Sequence, residues 1–147
     1  VYYQLCGNVF ANGLPNVMCE NVALGDTTDG DSISVEDLDY FSESVNSGNT
    51  HVGQFGSHVV QVNNLDDYQL DNVSLIKIDV QGYEPYVLDG AKQTILKNKP
   101  TIFIEIEPEH LEMFGFNKWD VFNRLHELGY KVIHDHTFDY VAIPLEK

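Results

Sequence analysis

Apolar residues recur along this chain with two different periods, and the switches between them mark out its elements. Tyr2, Leu5, Cys6, Val9 and Phe10 fall at helical spacing, and Gly13 followed by Pro15 stops that helix. Val17 to Leu24 reads as a strand closed by Gly25-Asp26, the polar run Thr27 to Asp31 as a turn, and Ser32 to Val35 as a weak strand. From Glu36 to Ser57 the chain is rich in Ser, Asn and Gly without a clear period, which predicts a long loop. Val59 to Val62 predicts a short strand and Leu65 to Tyr68 a single turn. The stretch Ser74-Leu75-Ile76-Lys77-Ile78-Asp79-Val80 is almost wholly apolar, so it predicts a central strand buried on both faces, with the Lys77 stem snorkelling to the sheet end. Val87, Leu88, Ala91, Ile95 and Leu96 then form one helical face, irregular at Gly90 and stopped by Asn98-Lys99-Pro100. Thr101 to Ile106 is a second buried strand, and Pro108 opens a short helix closed by Gly115. Asn117 and Asp120 are spaced as a capping pair for a helix presenting Trp119, Phe122, Leu125 and Leu128, ended by Gly129. Tyr130 to Ile133 and Tyr140 to Pro144 are the strands of a terminal hairpin. This order predicts an α/β domain.

Both buried strands carry an acid at their carboxyl end, Asp79 and Glu105. Neighbouring parallel strands lie ~4.8 Å apart, so the two carboxylates can share one pocket, at the end of the sheet where open α/β proteins bind ligands. Two acids there could hold a hard cation such as Mg²⁺, or one could serve as a general base. Glu84, just past Gly82 and beside Pro85, and Glu107 are placed to join them. The alternative for each acid is to cap a turn or sit against a helix dipole. His134 and His136 are spaced i,i+2 in the hairpin, where exposed polar side chains are expected. Neither a nucleophile elbow nor a phosphate-cradling glycine loop is present.

Composition narrows the choices. The 147 residues suffice for one domain with a single core. Eight basic against 23 acidic residues give a formal charge of −15, which repels phosphate backbones and argues against nucleic acid as a partner, while tolerating a cationic ligand or a divalent metal. No stretch approaches the ~20 apolar residues of a membrane span. No signal peptide is visible at the start, and the chain opens on Val1 in what reads as mid-helix, so further sequence upstream is expected. Cys6 and Cys19 lack zinc-type spacing and read as reduced core thiols, which places the chain in a reducing, cytoplasmic compartment.

Ile76-Lys77-Ile78-Asp79-Val80-Gln81-Gly82-Tyr83-Glu84, followed by Leu88 and Gly90-Ala91, closely resembles the signature of the FkbM-type methyltransferases, which typically reads I-K-I-D-V-E-G-x-E and then L-x-G-A. Asn64-Leu65-Asp66-Asp67 upstream and Ile102-Phe103-Ile104-Glu105 downstream also fit. So do Leu5, Asn8-Val9, Asn12-Gly13-Leu14 and Asn21-Val22-Ala23-Leu24-Gly25-Asp26. Gln81 stands where the family usually has Glu. The resemblance implies a Rossmann-like, S-adenosylmethionine-dependent methyltransferase that O-methylates hydroxyls of sugars, glycans or small molecules. Asp79 would face the methyl group and the substrate, as base or metal ligand, and Asn21, Val22 and Ala23 would lie near the adenine. The family's first two strands, its glycine-rich cofactor turn and the acid ending its second strand have no counterpart here. The expected fold is therefore a mostly parallel sheet lacking those strands, with a C-terminal antiparallel hairpin. Their absence leaves a gap of ~14 Å, three strand spacings, between Val17–Leu24 and Ser74–Val80. That predicts an unpaired sheet edge, or a homodimer formed across it. A non-catalytic α/β interaction module is the alternative function.

Overall fold

A computed structural model describes residues 1–27, 31–35 and 56–145. Helix α1 (Tyr2–Ala11) is followed by strands β1 (Val22–Leu24), β2 (Ser32–Val35) and β3 (His58–Asn63). A 3-10 turn, Leu65–Tyr68, leads to β4 (Leu75–Ile78), then to helices α2 (Glu84–Gly90) and α3 (Lys92–Asn98). Strand β5 (Thr101–Glu105), helices α4 (Pro108–Met113) and α5 (Lys118–Glu127), and the hairpin β6 (Tyr130–His136) and β7 (Asp139–Pro144) complete the order. The predicted loop between Glu36 and Ser57 falls largely outside the described residues.

Two sheets form where one was expected. β1, β3 and β2 make the first in that spatial order; β4, β5, β7 and β6 make the second. Only β1–β3 and β4–β5 are parallel pairs; β2–β3, β5–β7 and β6–β7 run antiparallel, so the expectation of a mostly parallel sheet is corrected. The terminal hairpin is present, as predicted. Among the described residues β1 pairs only with β3 and β4 only with β5, so an open edge lies on each side of the predicted gap. The first strand is also shorter than its apolar run. Its β3 partner reaches only Val22 to Leu24, and Val17 and Met18 stay exposed ahead of it.

The core belongs to the second sheet. Ile78, Ile102, Ile104 and Ala142 pack with Val87, Leu88, Ala91 and Ile95 of α2–α3 and with Val121 and Leu125 of α5. This is one face only. Leu75 and Phe103 on the opposite face are 55% and 41% exposed, and Lys77 is exposed between them, which corrects the expectation of strands buried on both faces. The physical reason is that, among the described residues, no layer covers that side. The apolar stretch therefore behaves as a one-sided strand with period 2.

Polar contacts fix the helices. Asp66 accepts from the Gln93 and Thr94 amides at 2.8 and 2.7 Å, satisfying α3's orphan N-terminal donors. Asn117 and Asp120 form the predicted capping box on α5. Arg124 grips the Asp89 carboxylate with Nε and Nη2, tying α5 to α2. The two sheets meet at α2, where Gly90 lies so close to the backbone of Gly25 that a Cβ would sit 1.8 Å from its carbonyl oxygen. Cys6 and Cys19 are free but only partly buried beside α1, not in the core as the sequence suggested, because α1 buries none of its residues.

Candidate active site

The register of β4 and β5 carries the site. Ile78 pairs with Ile104, so the next residue on each strand, Asp79 and Glu105, emerges at the same level on the open face. The two carboxyl groups lie within hydrogen-bonding reach of each other. Lys77, two residues earlier on the same strand face, donates to Asp79 Oδ2 at 2.7 Å, and Gln81 donates from Nε2 to Asp79 Oδ1 at 3.0 Å. Both Asp79 oxygens are therefore occupied by donors, while Glu105 faces acids: Asp79, Glu107 and Asp139.

Electrostatics separate the two groups. Burial pushes the Asp79 carboxyl up, but hydrogen bonds from Lys77, Glu105 and Gln81 outweigh it and hold it below the usual carboxylate range. Glu105 is pushed up to about 7, first by its hydrogen bond to Asp79, then by partial burial and by the charges of Asp79, Glu107 and Asp139. Below about pH 7 the pair holds one proton, on Glu105, and above it none. Two carboxyls with affinities driven apart are a recurrent acid–base arrangement, and the two steps belong to the pair rather than to either residue.

The turn after β4 explains the remaining acid. Gln81 has φ +54° and Gly82 φ +99°; a Cβ at Gly82 would sit 2.3 Å from the His110 carbonyl oxygen. Only glycine tolerates that approach with that φ. Glu84, 2% exposed, turns back into this loop and accepts from the Gly82 amide at 3.0 Å. Burial raises its carboxyl, opposed by the Gly82, Glu84 and Val80 amides. Thus Asp79 and Glu105 come together, while Glu84 braces the turn that carries Asp79. Asn21, Val22 and Ala23 belong to the other sheet, with Asn21 exposed ahead of β1 and Val22 and Ala23 half-buried within it. His134 and His136 lie exposed on β6, the first stacked on Tyr140. Among the described residues no group of three or more His, Cys, Asp or Glu is arranged to hold a metal ion. Sequence reasoning gave Gln81 no role, its one available signal being its departure from the Glu of the signature the stretch resembles.

Acids at the carboxyl ends of adjacent parallel strands, beside a glycine turn and a helix, place the pair at the end of the sheet where α/β proteins commonly bind ligands. The model of the methyltransferase FkbM domain matches residues 6–132, and the chain belongs to that family. It is also similar to the crystal structure of Methyltransferase FkbM from Methylobacillus flagellatus KT at 2.20 Å resolution. The TM-score is 0.60 at 18% identity, with 96% of this chain and 33% of that one covered, a likeness that shows a shared fold. The chain thus spans about one third of the length of that relative. No curated protein matches it. Among the described residues no helix is long and apolar enough to cross a membrane.

Proposed function

We propose that this chain is part of an S-adenosylmethionine-dependent O-methyltransferase acting on a hydroxyl of a sugar or other small molecule, with Asp79 and Glu105 as its general base. Family membership supports the methyltransferase class. The single observation that carries the assignment of roles is the Asp79–Glu105 pair at paired strand ends, with one member at about 7. A base that titrates near the working pH transfers protons efficiently in both senses. The residues present suit part of the cofactor. The open strand ends are acidic, and Gln81 Oε1 and Glu84 Oε2 are buried acceptors without a partner among the described residues, which favours a cationic, donor-bearing ligand.

When bound, the cofactor supplies an electrophilic methyl group on a sulfonium sulfur. Asp79 accepts a hydrogen bond from the substrate hydroxyl and aims its oxygen. The proton that the hydroxyl gives up as the methyl group leaves its sulfur, which is released as a thioether, would pass to the carboxylate pair and rest on Glu105. Lys77 keeps Asp79 ionised throughout. Asn21, Val22 and Ala23 are the residues of this chain proposed to lie near the adenine.

Calorimetric titration of the chain with S-adenosylmethionine tests the cofactor. Saturable binding would support the proposal, and no heat at millimolar ligand would favour the non-catalytic module. With a hydroxyl substrate in hand, Asp79→Asn should lower kcat about 10²–10⁴-fold. The wild-type rate should rise with pH through about 7 and then level, as the pair loses its last proton.

A further inference from the structure

We infer that Gln81 is a positioning residue for the carboxylate pair: its Nε2 group pins Asp79 through Oδ1 as a hydrogen-bond acceptor and so directs the pair's proton onto Glu105. This rests on the general-base role proposed for the pair.

The geometry leaves Gln81 little choice. It is 8% exposed, sits in a left-handed conformation that swings its side chain back over the strand end, and lies 3.0 Å from Asp79 Oδ1. An amide has a donor end and an acceptor end, and only the donor end can face an ionised carboxylate. Lys77, 65% exposed in its side chain, takes the other oxygen at 2.7 Å from the solvent side. Asp79 is thereby gripped from two directions. The groups facing the pair are Lys77 and Gln81 on Asp79's own strand and turn, Glu105 and Glu107 from β5 and its continuation, and Asp139 from β7. The hydrogen bonds from Lys77 and Gln81 therefore fall on Asp79, while Glu107 and Asp139 repel Glu105. A glutamate at position 81 would donate to Asp79 only while protonated. Once ionised, it would become a third acid competing for the same proton. Glutamine makes the bond at every pH.

The test reads proton location directly and needs no cofactor. In the chain labelled with ¹³C at its Asp and Glu carboxyls, with Asp79 and Glu105 identified from Asp79→Asn and Glu105→Gln, wild type at pH 6 should show Asp79 ionised and Glu105 protonated. In Gln81→Leu the ratio of the two singly protonated forms should move about tenfold toward Asp79, since a hydrogen bond to a charged acceptor is lost. Both carboxyl carbons should shift in opposite senses by equal fractions of a proton. Gln81→Glu, nearly identical in shape, covers the case in which the leucine variant does not fold. It should add a third coupled carboxyl titration and again place part of the proton on Asp79. A purely structural residue would leave the partition where it was. Asp79 and Glu105 carbons that track wild type from pH 5 to 8 in the folded variants would overturn the inference, as would a wild-type pair sharing its proton evenly. Failure of S-adenosylmethionine binding, by contrast, would remove the proposed activity and leave this partition standing.

Discussion

The two sheets of this molecule are built from similarly apolar sequence, yet they differ sharply in what they bury. The second sheet and helices α2 to α5 supply nearly the whole core, with Ile95, Ile102, Leu111, Val121, Leu125 and Ala142 fully enclosed. In the first sheet and α1 only Val62 is a buried apolar residue, while Tyr3 and Phe10 of α1, and Met18 between α1 and β1, are more than 80% exposed. An apolar period specifies a face, not a partner. The Tyr2–Phe10 face is as regular as the Val87–Ile95 face, but only the latter has a sheet against it, and Leu96, expected on that face, stays 41% exposed. Stability is therefore expected to reside almost entirely in residues 75–145, with the first sheet held on through α2 and the 3-10 turn.

The largest effect should come from that core. Ile104→Ala removes a side chain 1% exposed between β5 and the helices, and should cost about 2–5 kcal/mol in urea-unfolding free energy, because the surrounding residues cannot close the cavity. A loss below about 1 kcal/mol would show that the enclosed core is looser than its burial implies.

Next in size is a change at the joint. Gly90→Ala sets a methyl group against the Gly25 carbonyl, a backbone atom that cannot rotate away. The overpacking should cost about 1–3 kcal/mol. It should act unevenly, so that β1 and β3 amides lose hydrogen-exchange protection before β4, β5 and β7 amides do. Equal loss in both sheets would mean that they unfold as one unit.

Much of this was legible in the sequence because it is local. The Asn117–Asp120 capping box, the break at Gly90-Ala91 and the terminal hairpin each follow from a few neighbouring residues, and each is observed. The meeting of Asp79 and Glu105 was legible too, because parallel register turns equal strand length into equal height. What was not legible depends on a second layer or on a turn's handedness. The one-sided exposure of Leu75, Lys77 and Phe103 arises from what does not pack on them, although the placement of Lys77 already broke the apolar run on that face. Gln81 reads as an inert substitution until its positive φ brings the amide back over Asp79.

A subtler difference between the regions is their response to acid. Glu105 holds its proton to about 7, against an ordinary value of 4.5, so the folded state binds the proton more tightly than the unfolded chain. Its contribution is fully present below pH 4.5, fades as pH rises toward 7, and is absent above. Glu84, raised by burial, acts in the same sense. Asp79, held low, acts oppositely, contributing above the ordinary aspartate range and losing that contribution as pH falls. Glu105→Gln should therefore flatten part of the decline in stability between pH 5 and 7, leaving the share due to Glu84. Denaturant midpoints at pH 5 and 7.5 check this, and an undiminished decline would assign it to Glu84 alone.

The smallest expected effect is also the sharpest test of the contrast between the sheets. Phe10 is 88% exposed on a helix that buries none of its residues, so Phe10→Ala removes almost no buried area. Alanine is the better helix former by a few tenths of a kcal/mol, which offsets what little contact is lost. The net change should stay within about 0.5 kcal/mol, as for an ordinary surface position. The measurement is best made at two protein concentrations a hundredfold apart. A loss above 1 kcal/mol that grows with concentration would mean that the α1 face and the open β1 edge are covered by a second copy in solution, since mass action stabilises only the associated form. A loss independent of concentration would mean that α1 packs within its own chain, and the contrast between a bare first region and an enclosed second one would fail.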